Sequence, residues 1–545
     1  MFFRPAIFAL FTLFIFASGT GCKKSESAAH AAPPTVLSQD TIASVHWVGK
    51  GQLDLKADAC FFSRIWSLPE TERLQAQTFD HFSTGVWRFL LGDAAAAKMP
   101  AAVLRPLLDD LAQEEVYLEV RAPTNSQPSQ VCLAIHVDIR RAGIWETNLA
   151  IASELLAGSP AIANPAVRGW ILQRTNAPNR ITLTRAGDWT VVGIGPDQNF
   201  LFGEITARIQ RDGLPFVSAG TNLWLEASLD VPRLAACLPT LNLQLSTLNH
   251  LDLAVTGDGG NVITRGQLTF SRPLPLQLQP WHIPVNLLHE PLIAFSAMRG
   301  VQPWLASWPA WNRLQIGAPD QLYLWSLSGS PYQTYLAAPL PDAVHQIPAF
   351  ADRMLNDANP WLAANGYVNF NRAPDSNGIV WGNLPDIRPF IKFAGTVDDG
   401  WLYAGLLPDT GAGAGHPAPD DMIQDLLNRT NLVYYDWEIS GPRLEPCLYI
   451  GQTARQIFRR PQLPLDSASA VWLSILVPRL GTSATIISHN APDQLTFLRI
   501  STLGFTAPEL HLLADWLESP RFPYGLHSLP VSPGASSGTM PAAPP

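Results

Sequence analysis

Apolar and polar residues alternate with period two in the stretches 116–121, 130–139, 189–194, 322–327, 333–338 and 401–406. That period predicts strands, because successive side chains on a strand point to opposite faces. Elsewhere apolar residues recur three and four apart, over 145–156, 198–210, 344–355 and 420–429, which predicts helices packed by one face. Two further amphipathic helices are expected from "QAQTFDHFSTGVWRFLLGD" and "PAAVLRPLLDDLAQEE", both ahead of the strand at 116–121. Hairpin turns are expected at "TGDGGN" (256–261), where glycines permit positive φ, and at "HNAPD" (489–493), where proline presets the turn.

The predicted elements come in the same order twice. "GDWTVVGIGPD" (187–197) lines up with "DGWLYAGLLPD" (399–409), so that Trp189, Gly193, Pro196 and Asp197 match Trp401, Gly405, Pro408 and Asp409. "TNLWLEASLDVPRL" (221–234) matches "TNLVYYDWEISGPRL" (430–444), and "QLTF" occurs at 267–270 and 494–497. Collinear matches of this kind are the mark of an internal repeat. The expected fold class is α+β: two tandem copies, at 41–275 and 285–527, each an antiparallel or mixed sheet covered by helices.

The ends have a different composition. Arg4 precedes an apolar stretch from Ala6 to Phe16, too short to span a bilayer, and small residues then lead to Cys22. This segment resembles the signal peptides of bacterial lipoproteins. The resemblance implies a signal peptide at 1–21, lipidation of Cys22 and attachment to a membrane; Lys23 after the cysteine points to the outer membrane. Residues 22–40 read as a flexible tether and 528–545 as a disordered Pro/Ser/Ala-rich tail. The layout of tether and repeated body is similar to that of large exported bacterial proteins with a duplicated α+β unit. That similarity carries no catalytic residue with it.

Composition narrows the partners. Hydrophobic residues make up 47% of the chain and charged residues 15%, against about 25% in ordinary soluble domains. Such a chain buries a large core and has apolar surface to spare for a lipid or another amphiphile. The formal charge of −9 argues against nucleic acid, which demands a basic footprint. Forty-eight prolines argue against a helical bundle. Cys60, Cys132, Cys237 and Cys447 are scattered, which leaves open two disulfides or four buried thiols.

Motifs for chemistry fail on inspection. "GIGPDQ" at 193–198 starts like a dinucleotide fingerprint but places Pro196 and Asp197 where the glycine pattern should continue. "GASSG" at 534–538 lacks the strand-to-helix setting of a nucleophile elbow. His282, His289 and Glu290 are the best metal-like group, but Pro284 favours extended chain there, so no metal or cofactor is expected. The acidic pairs Asp109-Asp110, Glu114-Glu115, Asp398-Asp399 and Asp420-Asp421 read as solvated turns or helix faces, and Asp197 and Asp409 as helix caps. Tryptophan outnumbers tyrosine, 18 to 10. Trp304, Trp308 and Trp311 fall four and three apart, on one face of an expected helix, and are the candidate ligand-binding residues. The expected function is therefore a lipid-anchored envelope protein that binds or scaffolds. An envelope hydrolase with a carboxylate or Ser/His site is the alternative.

Overall fold

The computed structural model describes residues 38–522, apart from 92–99, 124–128, 165–167, 174–178, 217–221, 238–246, 365, 375–376, 385, 398, 409–418, 458–463, 465 and 520–521. Cys22, the expected tether up to residue 37, the expected tail, Asp398 and Asp409 lie outside the described residues.

Among the described residues, ten strands come from the first part of the chain: β1 Thr41–Trp47, β2 Val116–Arg121, β3 Gln130–His136, β4 Ile162–Asn164, β5 Gly169–Gln173, β6 Arg180–Ala186, β7 Trp189–Gly195, β8 Leu225–Asp230, β9 Leu248–Gly257 and β10 Val262–Phe270. Ten more follow: β11 Leu292–Arg299, β12 Gln321–Leu327, β13 Thr334–Pro339, β14 Phe370–Arg372, β15 Gly378–Trp381, β16 Phe390–Gly395, β17 Gly400–Gly405, β18 Leu432–Ile439, β19 Thr482–Ala491 and β20 Gln494–Ser501. All join one antiparallel sheet in the order β4-β5-β6-β7-β3-β2-β1-β8-β9-β10-β20-β19-β18-β11-β12-β13-β17-β16-β15-β14. The middle seam is β10 against β20, paired from Val262↔Ser501 to Thr269↔Gln494. The fold is thus α+β with a large antiparallel sheet, and the expected separate sheets are one continuous sheet. Both hairpin turns fall where glycine and proline place them, between β9 and β10 and between β19 and β20.

The helices that cover the sheet include α1 Cys60–Trp66, α2 Pro69–Leu91, α3 Ala101–Gln113, α4 Ile139–Ala157, α5 Phe200–Asp212, α6 Gln302–Ser307, α7 Pro309–Leu314, α8 Ala343–Arg353, α9 Asp420–Asn428, α10 Ser440–Ile457, α11 Ala468–Leu476 and α12 Ala507–Leu517. Helix α4 starts six residues before the expected 145. The Asp138 carboxylate accepts the amides of Arg140 and Arg141 and caps it there. Asp197 does not cap α5; Asn199 does, accepting from the Phe202 amide. The expected single helix carrying Trp304, Trp308 and Trp311 is two short helices. Trp308 stands before Pro309, whose ring clashes with a helical predecessor, and it adopts φ −83°, ψ 115°.

Strands β1 to β3 are buried on both faces. One face packs Tyr117, Cys132, Trp189 and Val191 under α5. The other contributes Val45, Leu118 and Leu133 to a core that also takes in Leu444, Trp472, Leu473, Leu510 and Leu517 from α10 to α12. One hydrophobic core therefore runs under helices from both ends of the chain. A second core gathers Phe295, Tyr323, Trp325, Tyr335 and Tyr403. Cys60, Cys132, Cys237 and Cys447 are all free thiols, so neither disulfide forms.

A candidate binding cavity between helices

Where α1, α2 and α3 meet α11 and α12, the shared core does not close. A cavity of about 160 Å³ remains. Its walls are Trp47 at the end of β1; Ile65 and Trp66 of α1; Leu74, Gln75, Thr78 and Phe79 of α2; Leu111 and Ala112 of α3; Trp472 of α11; and Leu510, Leu513 and Leu517 of α12. No residue of this lining is ionisable. Half-buried Phe62, Trp66, Gln75, Phe505 and Leu513 mark the side nearest solvent.

The three tryptophans of the lining have their polar edges occupied. The indole N–H of Trp47 donates to the Ala112 carbonyl at 3.2 Å, that of Trp66 to Gln75 Oε1 at 2.8 Å, and that of Trp472 to Thr71 Oγ1 at 3.1 Å. Rings fixed this way present apolar area without an unpaired donor, which is what a binding wall of tryptophan requires.

The far wall, α12, is positioned by polar contacts. Thr506 and Glu509 form a capping box at its start, and Arg499 of β20 holds Glu509 with two bonds at 2.5 and 2.6 Å. The first free amide of the helix, Ala507 N–H, donates to Glu438 Oε1 at 2.7 Å. Glu438 lies on β18, is 2% exposed, and also accepts from Ser440 Oγ at 2.7 Å. Burial, with the nearby Asp436 charge, pushes the Glu438 carboxyl up to about 7. At the other end Asp515 pairs with Arg455 of α10, both 3% exposed. Glu518 then joins the two sides of the cavity: it accepts from Gln77 Nε2 of α2 and from the Ser469 amide of α11, both at 3.1 Å.

The tryptophans expected from the sequence lie elsewhere. Trp304 and Trp308 stack on each other, centroids 5.8 Å apart and 15° between planes, and are 62% and 48% exposed. Trp311 is half-buried and donates to the Ile316 carbonyl at 3.2 Å. None of the three lines the cavity. Nothing in the sequence separates Trp47, Trp66 and Trp472 from ordinary core tryptophans; a cavity is a failure of distant helices to fill space, and no local pattern records it.

A serine, a histidine and an aspartate do meet, on β8 and β9. Ser228 Oγ lies 3.1 Å from His250 Nε2 and donates to Asp252 Oδ1 at 2.8 Å, while Asp252 Oδ1 is 3.0 Å from the same Nε2. A hydrolytic relay needs the acid on one ring nitrogen and the hydroxyl on the other. Here both use one nitrogen, which leaves no second contact to orient the ring for a relay, and the Asp252 bond raises His250 above its ordinary value. His282 forms a pair with Asp399 at 2.9 Å instead of joining His289. Among the described residues no group of three or more His, Cys, Asp or Glu could hold a metal ion, and no helix is long and apolar enough to cross a membrane.

No protein-family model matches the chain, and no curated protein is significantly similar to it. One solved structure, crystal form III of TP0453, is similar over 45% of this chain and 80% of that one, at 11% identity and a TM-score of 0.21. A likeness of that size carries no argument.

Proposed function

We propose that the protein is a lipid-anchored component of the bacterial envelope, held at the periplasmic face of the outer membrane through Cys22, that binds or scaffolds rather than catalyses. Its ligand is apolar or amphiphilic. The observation that carries this reading is the uncharged, tryptophan-lined cavity between α1–α3 and α11–α12. Such junctions are favoured places for ligands.

The reading includes a duplication, in which β1–β10 and β11–β20 are two copies of one unit fused edge to edge. Read outward from the β10–β20 seam, the order is 9, 8, 1, 2, 3, 7, 6, 5, 4 on one side and 19, 18, 11, 12, 13, 17, 16, 15, 14 on the other. Each number on one side is ten more than its counterpart. Trp189 is the first residue of β7 and Trp401 the second of β17, and they face His136 on β3 and Pro339 on β13. The two "QLTF" stretches are neighbours across the seam, Leu268 opposite Leu495. On this reading the cavity lies between the helical layers of the two copies.

Two measurements test the proposal. Cys22→Ala should move the protein from the membrane fraction to the soluble one; an unchanged distribution counts against the anchor. Lipid extracted from the purified full chain should fall several-fold in Ala112→Phe, or in Leu513→Trp should the first variant not fold, because either ring fills the cavity. Trp304→Ala with Trp308→Ala should leave that lipid in place. Loss of lipid only in the double alanine variant would move the site to the exposed tryptophan pair.

A further inference from the structure

Resting on the reading of the cavity as a ligand site, its polar atoms narrow the class of ligand. The wall contains two neutral donors with no partner among the described residues. One is the hydroxyl of Thr78, a residue 7% exposed that lines the space. The other is the NH2 of Gln75, whose carboxamide oxygen is already taken by Trp66. Both lie on α2, three residues apart, and so on one side of that helix. Neither is among the fully buried polar atoms that lack a partner, so both are reachable and can donate to an acceptor that an occupant brings.

No cation lines the space to balance a charge. A carboxylate or phosphate would lose its hydration there against neutral donors alone, which costs several kcal/mol. An ester carbonyl is a neutral acceptor and suits both donors. The volume also limits size: about 160 Å³ is close to the roughly 150 Å³ of a dry apolar cavity that takes one benzene. That holds a short length of a single chain and excludes a pair of chains side by side.

We infer that the cavity is a selective site for one acyl chain carried as a neutral ester, with Thr78 and Gln75 meeting the ester carbonyl and any charged head left in water. The three wall tryptophans provide the readout, since bromine quenches indole fluorescence on contact. The full-length Cys22→Ala protein is titrated with methyl 8-bromooctanoate, 8-bromooctanoate and 1-bromooctane. At pH 8 the ester should bind at least tenfold more tightly than the carboxylate. The carboxylate should gain affinity as pH falls through its own pKa of about 4–5, the ordinary carboxylic range. Thr78→Val should weaken the ester by roughly two- to tenfold, the worth of one hydrogen bond, and leave 1-bromooctane unchanged. Gln75→Met serves as the second variant if Thr78→Val does not fold. Equal affinity for ester and carboxylate at pH 8 overturns the selectivity, and an ester no tighter than 1-bromooctane overturns the role of the donors. Quenching by none of the three removes the cavity reading itself, which sets that failure apart from the other two.

Discussion

At the scale of single residues, the most informative side chain is Glu438. It is buried on β18 and bonded to the first amide of α12 and to Ser440. Asp436 lies two residues away on the same strand, holding Ser296 Oγ at 2.5 Å, and burial raises its carboxyl too. The cations facing this pair are Arg443 of α10, which is bonded to Ser326 and Thr334, and Arg499, which is committed to Glu509. Neither arginine bonds Glu438, so the cost of burial outweighs its two hydrogen bonds. A carboxyl raised from 4.5 to about 7 on folding binds its proton more tightly in the native state. Its contribution to stability is complete below about pH 4.5 and is lost as pH rises through about 7. Glu438→Gln keeps an acceptor for Ala507 and should raise the melting temperature at pH 8, with the gain vanishing near pH 4.5. A lower melting temperature at pH 8 would show that the ionised group's bond to α12 outweighs burial. His511 on α12 has the opposite slope. Burial and the Arg455 charge hold it down to about 4, so its contribution is present above about 6.5 and is lost as pH falls through about 4.

At the scale of elements, α12 packs on α10 through the Asp515–Arg455 pair and through Gly451, where a Cβ would meet the His511 ring at 2.5 Å. Removing one member of a buried pair strands the other charge. Asp515→Ala should therefore cost about 3–5 kcal/mol in urea denaturation, while Asp515→Leu combined with Arg455→Met should recover most of it. Because α12 forms a cavity wall, the single variant should also lose ligand. The elements themselves were largely legible. Strand β2 falls on 116–121 as its alternation predicts, and β7 and β17 lie within a residue of the expected bounds. The spacing of Trp304, Trp308 and Trp311 predicts one helix, but Pro309 in the same stretch dictates a break and outranks that spacing. The scattered cysteines left open two disulfides or four buried thiols; all four are free, but only Cys132 is buried and Cys60 is exposed. The cavity was not legible at all: Trp47 and Trp472 are 425 positions apart, and each alone looks like core.

At the scale of the molecule, two things hold β1–β10 to β11–β20. One is the β10–β20 ladder, whose side chains are mostly half-buried; its hydrogen bonds contribute a net ~0.5–1.5 kcal/mol each. The other is the common core, where Trp472, Leu473, Leu476, Leu510 and Leu517 pack in one cluster with Trp47, Leu74 and Phe79. Each such side chain contributes about 1.5–3 kcal/mol on burial. Those eight alone amount to roughly as much as the whole ladder or more, so the helical layer is sufficient to keep the two parts cooperative when the ladder is damaged. Gly266 offers the test. A Cβ there would lie 2.0 Å from the Phe497 ring across the seam, so Gly266→Val forces the ladder apart locally. Thermal unfolding of Gly266→Val followed by calorimetry should show a lower midpoint and still a single transition. Gly143→Ala, on the open face of α4 with nothing within 4 Å, is the control and should be neutral or stabilising by up to about 1 kcal/mol. Two separate transitions in Gly266→Val would mean that the ladder, and not the core around the cavity, couples the two parts. The cavity would then open without unfolding either part, and its ligand would have to bind the separated layers as well as the joined ones.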